Sequence, residues 1–138
     1  MVVNELNILS FFHIYNEKYF NGVLPIPTLR IMHSYRTLGY FHCEIDNDGY
    51  ILNPTIYISD NYEYTESQLK NIIVHEMIHY FLAYCGKDMK CHHGKEFRKM
   101  SQKLNSKYGL NITSTIDLTP FSIRNGKSNF MFKLCTLF

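Results

Sequence analysis

The sequence predicts a small α+β domain, and three observations support this class. Apolar residues recur at three- and four-residue intervals in three segments, which is typical of helices packed on a core. Short apolar and aromatic segments bounded by turn residues lie between the first two, which is typical of strands. The length of 138 residues allows one core and is too short for two ordinary domains. We therefore expect residues 1–138 to form one domain with an N-terminal helix, a small three- to four-stranded, mostly antiparallel sheet and two further helices.

Residues 4–20 predict the N-terminal helix. Asn21 and Gly22 follow as residues that tolerate a left-handed backbone and close helices. Pro25 and Pro27 then prevent the helix from resuming. Its apolar stripe is formed by Ile8, Phe11, Phe12, Tyr15 and Tyr19.

Three strands are predicted next, at residues 29–34, 37–44 and 50–59. The D-N-D-G sequence at 46–49 predicts a turn between the second and the third. An Asn-Pro pair at 53–54 predicts an interruption of the third strand, because proline cannot donate to a sheet. Three strands in series predict an antiparallel meander.

Two helices follow the sheet. Thr65 and Gln68 have the spacing of a capping box at the start of the first, and Gly86 is placed to end it. A polar hinge at 86–94 leads to an amphipathic helix that ends at Gly109. Its apolar seam consists of Phe97, Met100, Leu104 and Tyr108.

The last segment, residues 110–138, predicts a hairpin-like extension, with a turn at 124–127 and a strand at 130–138. Charge is also unevenly placed along the chain. Residues 1–84 contain four Lys/Arg and nine Asp/Glu, whereas residues 85–138 contain ten and three. Such asymmetry indicates either a surface that faces a polyanion or a solvated helix face, and the second is the default reading.

Composition bears on location. No apolar run reaches the roughly 18 residues that a membrane span requires. The first twelve residues lack a basic region followed by an apolar one, so no secretory signal is expected. The four cysteines, without a C-x-x-C pair, indicate reduced thiols. These cysteines are Cys43, Cys85, Cys91 and Cys135. We therefore expect a cytoplasmic protein with no membrane partner.

The predicted helix at 65–85 carries an H-E-x-x-H motif. His75 and His79 are four residues apart, so both imidazoles lie on one helix face and can bind one cation. Glu76 is the residue after His75, so it need not bind the cation itself and can take a proton from a water bound to it. This arrangement predicts a zinc hydrolase. A structural reading without metal is disfavoured, because unpaired histidines on an apolar helix cost free energy.

A catalytic zinc needs a third protein ligand. Cys85 lies on the wrong face of the helix to join the two histidines. Glu96 is the candidate if the ligand comes from within the next helix. The H-H-G sequence at 92–94 is the better candidate, and spacing leaves both His92 and His93 open.

These motifs resemble the SprT-like, or Spartan-type, zinc metallopeptidases. HEMIHYFLAYCG followed by HGKEF resembles the family's helix, hinge and next helix start. FFHIYNEKYFNGVLP resembles its first helix, and TLGYF and IYIS its strands. The resemblance covers about residues 5–108. The stretch KSNFMFKLCTLF also resembles the start of a zinc ribbon found in many relatives, but Phe138 stands where a second cysteine would fall.

The resemblance implies a zincin-like fold and proteolysis. It makes His75, His79 and His93 the zinc ligands and Glu76 the catalytic base. For some members it implies digestion of proteins crosslinked to DNA, so the expected partners are a protein or peptide substrate and DNA. By analogy with zincins, an extended substrate is expected along the sheet edge near 55–59.

Two other classes remain open on the sequence alone. One is a different zinc hydrolase, such as a deformylase or a nuclease, although Cys43 lacks the Gly-Cys-Leu-Ser setting of deformylases. The other is a nucleic-acid-binding protein that keeps zinc as a structural element, which the basic half at 85–138 motivates. That class is ranked second, because structural zinc sites are usually Cys-rich and Glu76 would have no use there.

Overall fold

The computed structural model describes residues 1–88, 90, 92–124 and 135–137, with three helices and seven strands in this part of the chain. The α+β class is confirmed, and the N-terminal helix, small sheet and histidine-bearing helix fit a zincin-like fold. The elements are α1 (Glu5–Phe20), β1 (Thr28–Met32), β2 (Gly39–Ile45), β3 (Ile51–Ser59), β4 (Tyr62–Glu63), α2 (Glu66–Tyr84), α3 (Lys95–Tyr108), β5 (Thr115–Asp117), β6 (Ser122–Ile123) and β7 (Cys135–Leu137).

Helix α1 begins and ends where the sequence predicts. The Asn4 side chain accepts from the Asn7 backbone N–H, and the Asn7 side chain accepts from the Asn4 N–H, each at 2.9 Å. This reciprocal pair satisfies two N–H groups that a helix start leaves open. At the other end Asn21 and Gly22 have φ values of 55° and 68°, the left-handed conformation that stops a helix.

The main sheet has the order β1-β3-β2, so the predicted meander is wrong in its strand order. β2 is antiparallel to β3, but β1 runs parallel to it. The connection from β1 to β2 passes the end of β3 and does not form a hairpin. There the Ser59 hydroxyl donates to the Ser34 carbonyl at 2.6 Å and accepts from the Ser34 N–H at 3.1 Å. The other described pairings, β4 with β6 and β5 with β7, are antiparallel, so the sheet content is mostly antiparallel as predicted.

Strand β3 is the central strand, so the prediction that a substrate pairs with a sheet edge near residues 55–59 is wrong. Residues 55–59 pair with β1 on one side and β2 on the other, so they offer no edge. The expected interruption near Asn53 is a bulge in a continuous strand. Asn53 has φ of 52°, its side chain donates to Glu44 at 2.7 Å, and the register with β2 shifts between His42 and Glu44.

Helix α2 lies at the centre of the core, in contact with α1, α3, β2 and β3. One face of the sheet packs against the helices through Phe41, Ile56 and Ile58, which are buried. The opposite face of β2 carries exposed side chains such as Tyr40 and His42. An apolar helix enclosed on several sides is expected when most of its residues are hydrophobic.

Several further predictions can be compared with the described residues. Cys43 and Cys85 form no disulfide there. None of the helices found there is long and apolar enough to span a bilayer. Cys135–Leu137 forms β7, inside the strand predicted at 130–138. The remainder of that strand, and all of the predicted turn except Arg124, lie outside the described residues.

Candidate metal centre

Helix α2 carries two histidines and a glutamate into the core. Its start is fixed by the predicted capping box, with Thr65 accepting from the Gln68 N–H at 3.1 Å and Gln68 accepting from the Thr65 N–H at 3.0 Å. In the middle of the helix His75, Glu76 and His79 are 0%, 1% and 3% exposed. Buried ionisable groups are costly unless something compensates them.

The hinge, residues 86–94, connects α2 to α3, and its described residues are 86–88, 90 and 92–94. Gly86 has φ of 71°, and the Lys87 N–H donates to the Leu82 carbonyl at 2.8 Å, which closes the end of α2. The Asp88 carboxylate then accepts from the backbone N–H of Lys90 and of His92. After these turns α3 starts at Lys95, two residues after His93, with Gly94 as its N-cap.

Three imidazoles converge beside α2. His93 Nε2 lies 3.0 Å from His75 Nε2 and 3.1 Å from His79 Nε2. One ligand nitrogen from each of the three rings lies within 4.8 Å of the others. Tetrahedral zinc with bonds of about 2.0–2.1 Å holds its nitrogens about 3.3 Å apart. The donor set and its spacing therefore fit a divalent metal ion such as zinc.

The Nδ1 atom of His75 lies 2.9 Å from the Thr113 carbonyl oxygen. Because a carbonyl can only accept, Nδ1 carries the hydrogen, and in the neutral ring Nε2 presents its lone pair to the cluster. A second partner of this kind orients a metal-binding ring.

The segment that carries Thr113 is itself held by two asparagines. Asn105 of α3 donates to the Ile112 carbonyl at 3.0 Å and accepts from the Ile112 N–H at 2.8 Å. Asn71 of α2 accepts from the Asn111 N–H at 3.2 Å. Both helices thus fix the carbonyl that orients His75.

Phe97 closes one side of the cluster. Its ring centroid lies 4.7, 4.8 and 4.8 Å from those of His75, His79 and His93, and its side chain is buried. An apolar ring in this position keeps water away from that side of the imidazoles and restricts their rotation.

Glu76 is buried without a partner for one oxygen. Its Oε2 has no hydrogen-bond partner among the described residues, and burial raises the pKa of this carboxyl well above its usual range. Oε2 lies beside Gly39, the first residue of β2: a Cβ built there would be only 2.8 Å from it. A perturbed, unsatisfied carboxyl one residue from a possible metal ligand is a functional-site signal.

The structure also separates the other candidates from this cluster. Among the described residues, the group of His, Cys, Asp and Glu side chains close enough to share one ion consists of His75, His79 and His93. His92 is exposed, and neither Glu96 nor Cys85 belongs to the group.

Sequence reasoning missed Gly39, the Asn71–Asn105 pair and Phe97 as parts of the site. For Phe97 a signal existed, because it follows His93 by four residues and was already placed on the apolar seam of α3. The other contacts join residues far apart in sequence and leave no local pattern.

The model of the SprT-like family matches residues 8–116, from α1 to β5, and includes the whole histidine cluster. A comparison with curated proteins finds no match. The family match and the histidine cluster together indicate a metal-dependent, metallopeptidase-like hydrolase. Because the match covers well over half of the chain, this protein belongs to the SprT-like family.

Proposed function

We propose that the protein is a zinc-dependent endopeptidase in which His75, His79 and His93 hold the ion and Glu76 is the general base. The observation that carries the proposal is the convergence of three imidazole nitrogens, two of them from the helix that also carries the buried carboxyl of Glu76. Three protein ligands are typical of catalytic zinc sites, whereas structural sites usually have four ligands and are rich in cysteine.

Zinc bound there would supply Lewis-acid chemistry, polarising a substrate carbonyl and making water easier to deprotonate. The chain's own part is proton transfer. Glu76 accepts the proton of the attacking water at a carboxylate oxygen and delivers it to the leaving amine. Its unsatisfied Oε2 suits this role, because no other described group competes for that oxygen. His75 stays oriented through the Thr113 carbonyl throughout.

An extended substrate would add to β2. Among the described residues this strand pairs only with β3, so its other edge keeps backbone groups that a peptide can pair with. The first residue of β2, Gly39, lies against Glu76. A peptide along this edge would therefore pass close to the general base.

Replacing Glu76 by glutamine tests the role of the base. We expect Glu76→Gln to bind zinc as the unmodified protein does and to lose about 10²–10⁴-fold in kcat. Casein cleavage and metal content of the purified protein are the measurements. Glu96→Gln is the matched control, because Glu96 lies outside the cluster and should keep full activity. Cleavage by Glu76→Gln at the unmodified rate would refute the proposal, and formyl-peptide and RNA substrates in parallel would detect another hydrolase.

A second proposal is that the substrates are associated with DNA. It is supported by a concentration of exposed basic side chains on α3, which attracts phosphate groups. The same basic side chains also support the alternative of a nucleic-acid-binding protein. Binding of single-stranded and duplex oligonucleotides should fall steeply between about 50 and 200 mM salt, and Lys99→Glu/Lys103→Glu should weaken it. Undetectable binding at low salt would remove this proposal. The exposed basic side chains of α3 are Lys95, Arg98, Lys99, Lys103 and Lys107.

A further inference from the structure

Gly39 lies where β2 meets α2, and it has no room for a side chain. A Cβ atom at this position would be 2.8 Å from Glu76 Oε2, 3.0 Å from Glu76 Cγ and 3.1 Å from Ile72 Cγ2. Carbon and oxygen atoms that are not bonded rarely approach so closely in folded proteins, because the repulsion is steep. Any residue larger than glycine would therefore displace the Glu76 side chain, Ile72, or both.

The backbone conformation at position 39 does not require a glycine. The glycines with positive φ among the described residues are Gly22, Gly49, Gly86 and Gly109, and Gly39 is not one of them. Gly39 is in a strand and is paired with Ile58. Glycine in a strand is unfavourable, because it loses more conformational freedom than other residues and packs no side chain. A close approach by another group is the usual reason for one.

The atoms around Gly39 have little freedom to move away. Ile72 is fully buried and Glu76 is 1% exposed, and both belong to a helix enclosed by the core. On the strand side, Leu38 is fully buried, and its carbonyl accepts from the Ser59 N–H at 2.9 Å. In a close-packed interior an added methyl group is accommodated by rotating a side chain from its preferred position. The Glu76 carboxyl is the nearest group.

We propose that Gly39 is a positioning residue for Glu76: its missing side chain creates the space that sets where the Glu76 carboxyl lies. This inference rests on the proposed function for its catalytic consequence, since Glu76 is the general base there. Displacing a reacting group by about 1 Å can cost about 100-fold in rate.

Activity is the first measurement. We expect Gly39→Ala to lose about 10- to 100-fold in kcat, with KM and zinc content unchanged, because the carboxyl moves while the three histidines stay. Full activity of folded Gly39→Ala would overturn the proposal. A loss of zinc equal to the loss of activity would also overturn it, because the substitution would then act on the metal centre.

Thermal unfolding of the protein without substrate tests the contact independently of catalysis. Gly39→Ala should lower Tm, and the drop should be at least halved in a Glu76→Ala background, where the nearest clashing atoms are gone. If Gly39→Ala does not fold, recovery of folded protein in the double variant is the supporting result. Equal drops in both backgrounds, or no recovery, would overturn the proposal.

The Tm comparison of Gly39→Ala with and without Glu76→Ala forms a double-mutant cycle, and Gly49→Ala is its control. Gly49 has φ of 86° and no atom within 4 Å of a built Cβ, so its drop in Tm reflects backbone strain alone and should be the same in both backgrounds. The cycle also separates the two proposals. If Glu76→Gln remains a full peptidase while the Tm coupling holds, the proposed function fails, and the contact between Gly39 and Glu76 stands.

Discussion

Helices α2 and α3 both border the histidine cluster, and they are built in opposite ways. Twelve of the 19 residues of α2 are buried, among them both of its histidines, whereas α3 buries three of its 14. The core therefore fixes His75 and His79 before any metal binds. His93 is half-buried, and its position depends on the hinge and on Phe97, the aromatic side chain of α3 that packs against its ring. Helix α2 thus holds two of the three imidazoles in place, and α3 closes one side of the cluster with Phe97.

The largest effect is expected from removing the Phe97 ring. We expect Phe97→Ala to lower the free energy of unfolding by about 3–5 kcal/mol, because it leaves a cavity in a close-packed region. It should also weaken zinc binding, since three imidazoles lose the ring that they pack against. Urea unfolding of the metal-free protein and a zinc titration are the measurements.

Leu104→Ala provides the matched control, because Leu104 is a buried residue of the same helix and lies about two turns beyond Phe97. It should destabilise the fold and leave the zinc affinity of the folded protein unchanged. Equal zinc affinities for the two variants would contradict the role given to Phe97.

Zinc should stabilise the folded protein through the three imidazoles of the cluster. A free zinc concentration 100-fold above Kd should raise the free energy of unfolding by about 2.7 kcal/mol. The rise in Tm should disappear in His79→Ala and in His93→Ala and persist in His92→Ala, whose ring is exposed. Calorimetry with zinc and with a chelator measures it.

The effect of chelation should also differ along the chain. If His93 is a ligand, removal of the metal should speed amide hydrogen exchange more in the hinge, residues 86–94, than in the middle of α2, because the core already holds α2 in place. Equal changes in both regions would mean that α2 is not preorganised by the core.

A smaller effect is expected from the two asparagines that hold residues 111–112. Asn105→Ala should cost about 1–3 kcal/mol, because both polar groups of the buried Ile112 backbone lose their partner. Asn71→Ala should cost about 0.5–1.5 kcal/mol, because it removes one hydrogen bond at the exposed Asn111. Urea unfolding curves measure both. The reverse order would mean that α2, not α3, holds this segment.

Much of α2 could be predicted because its signals are local. The capping box, the apolar spacing and the H-E-x-x-H motif lie within about 20 residues, and the helix follows them closely. Residue spacing could not decide whether His92 or His93 joins His75 and His79. It depends on the left-handed Gly86 and on the turn around Asp88, and together these two features set the direction of the hinge.

The sheet was predicted less well, for a related physical reason. Strands 29–34, 37–44 and 50–59 were located to within a few residues, since composition and turn residues mark strands locally. Which strand lies in the centre is decided by contacts such as that between Ser34 and Ser59, 25 residues apart, and no pattern within one strand encodes them. The space-making role of Gly39 was hidden for the same reason.

The oxygen that orients His75 belongs to the main chain at Thr113, and this has a consequence for how the protein tolerates change. Any amino acid at position 113 brings the same carbonyl, so the identity of that side chain matters little to the imidazole. The length of the connection after Gly109 matters far more. One inserted or deleted residue there would shift a different peptide group into place and tilt the ring, although every titratable side chain of the cluster would remain in the sequence.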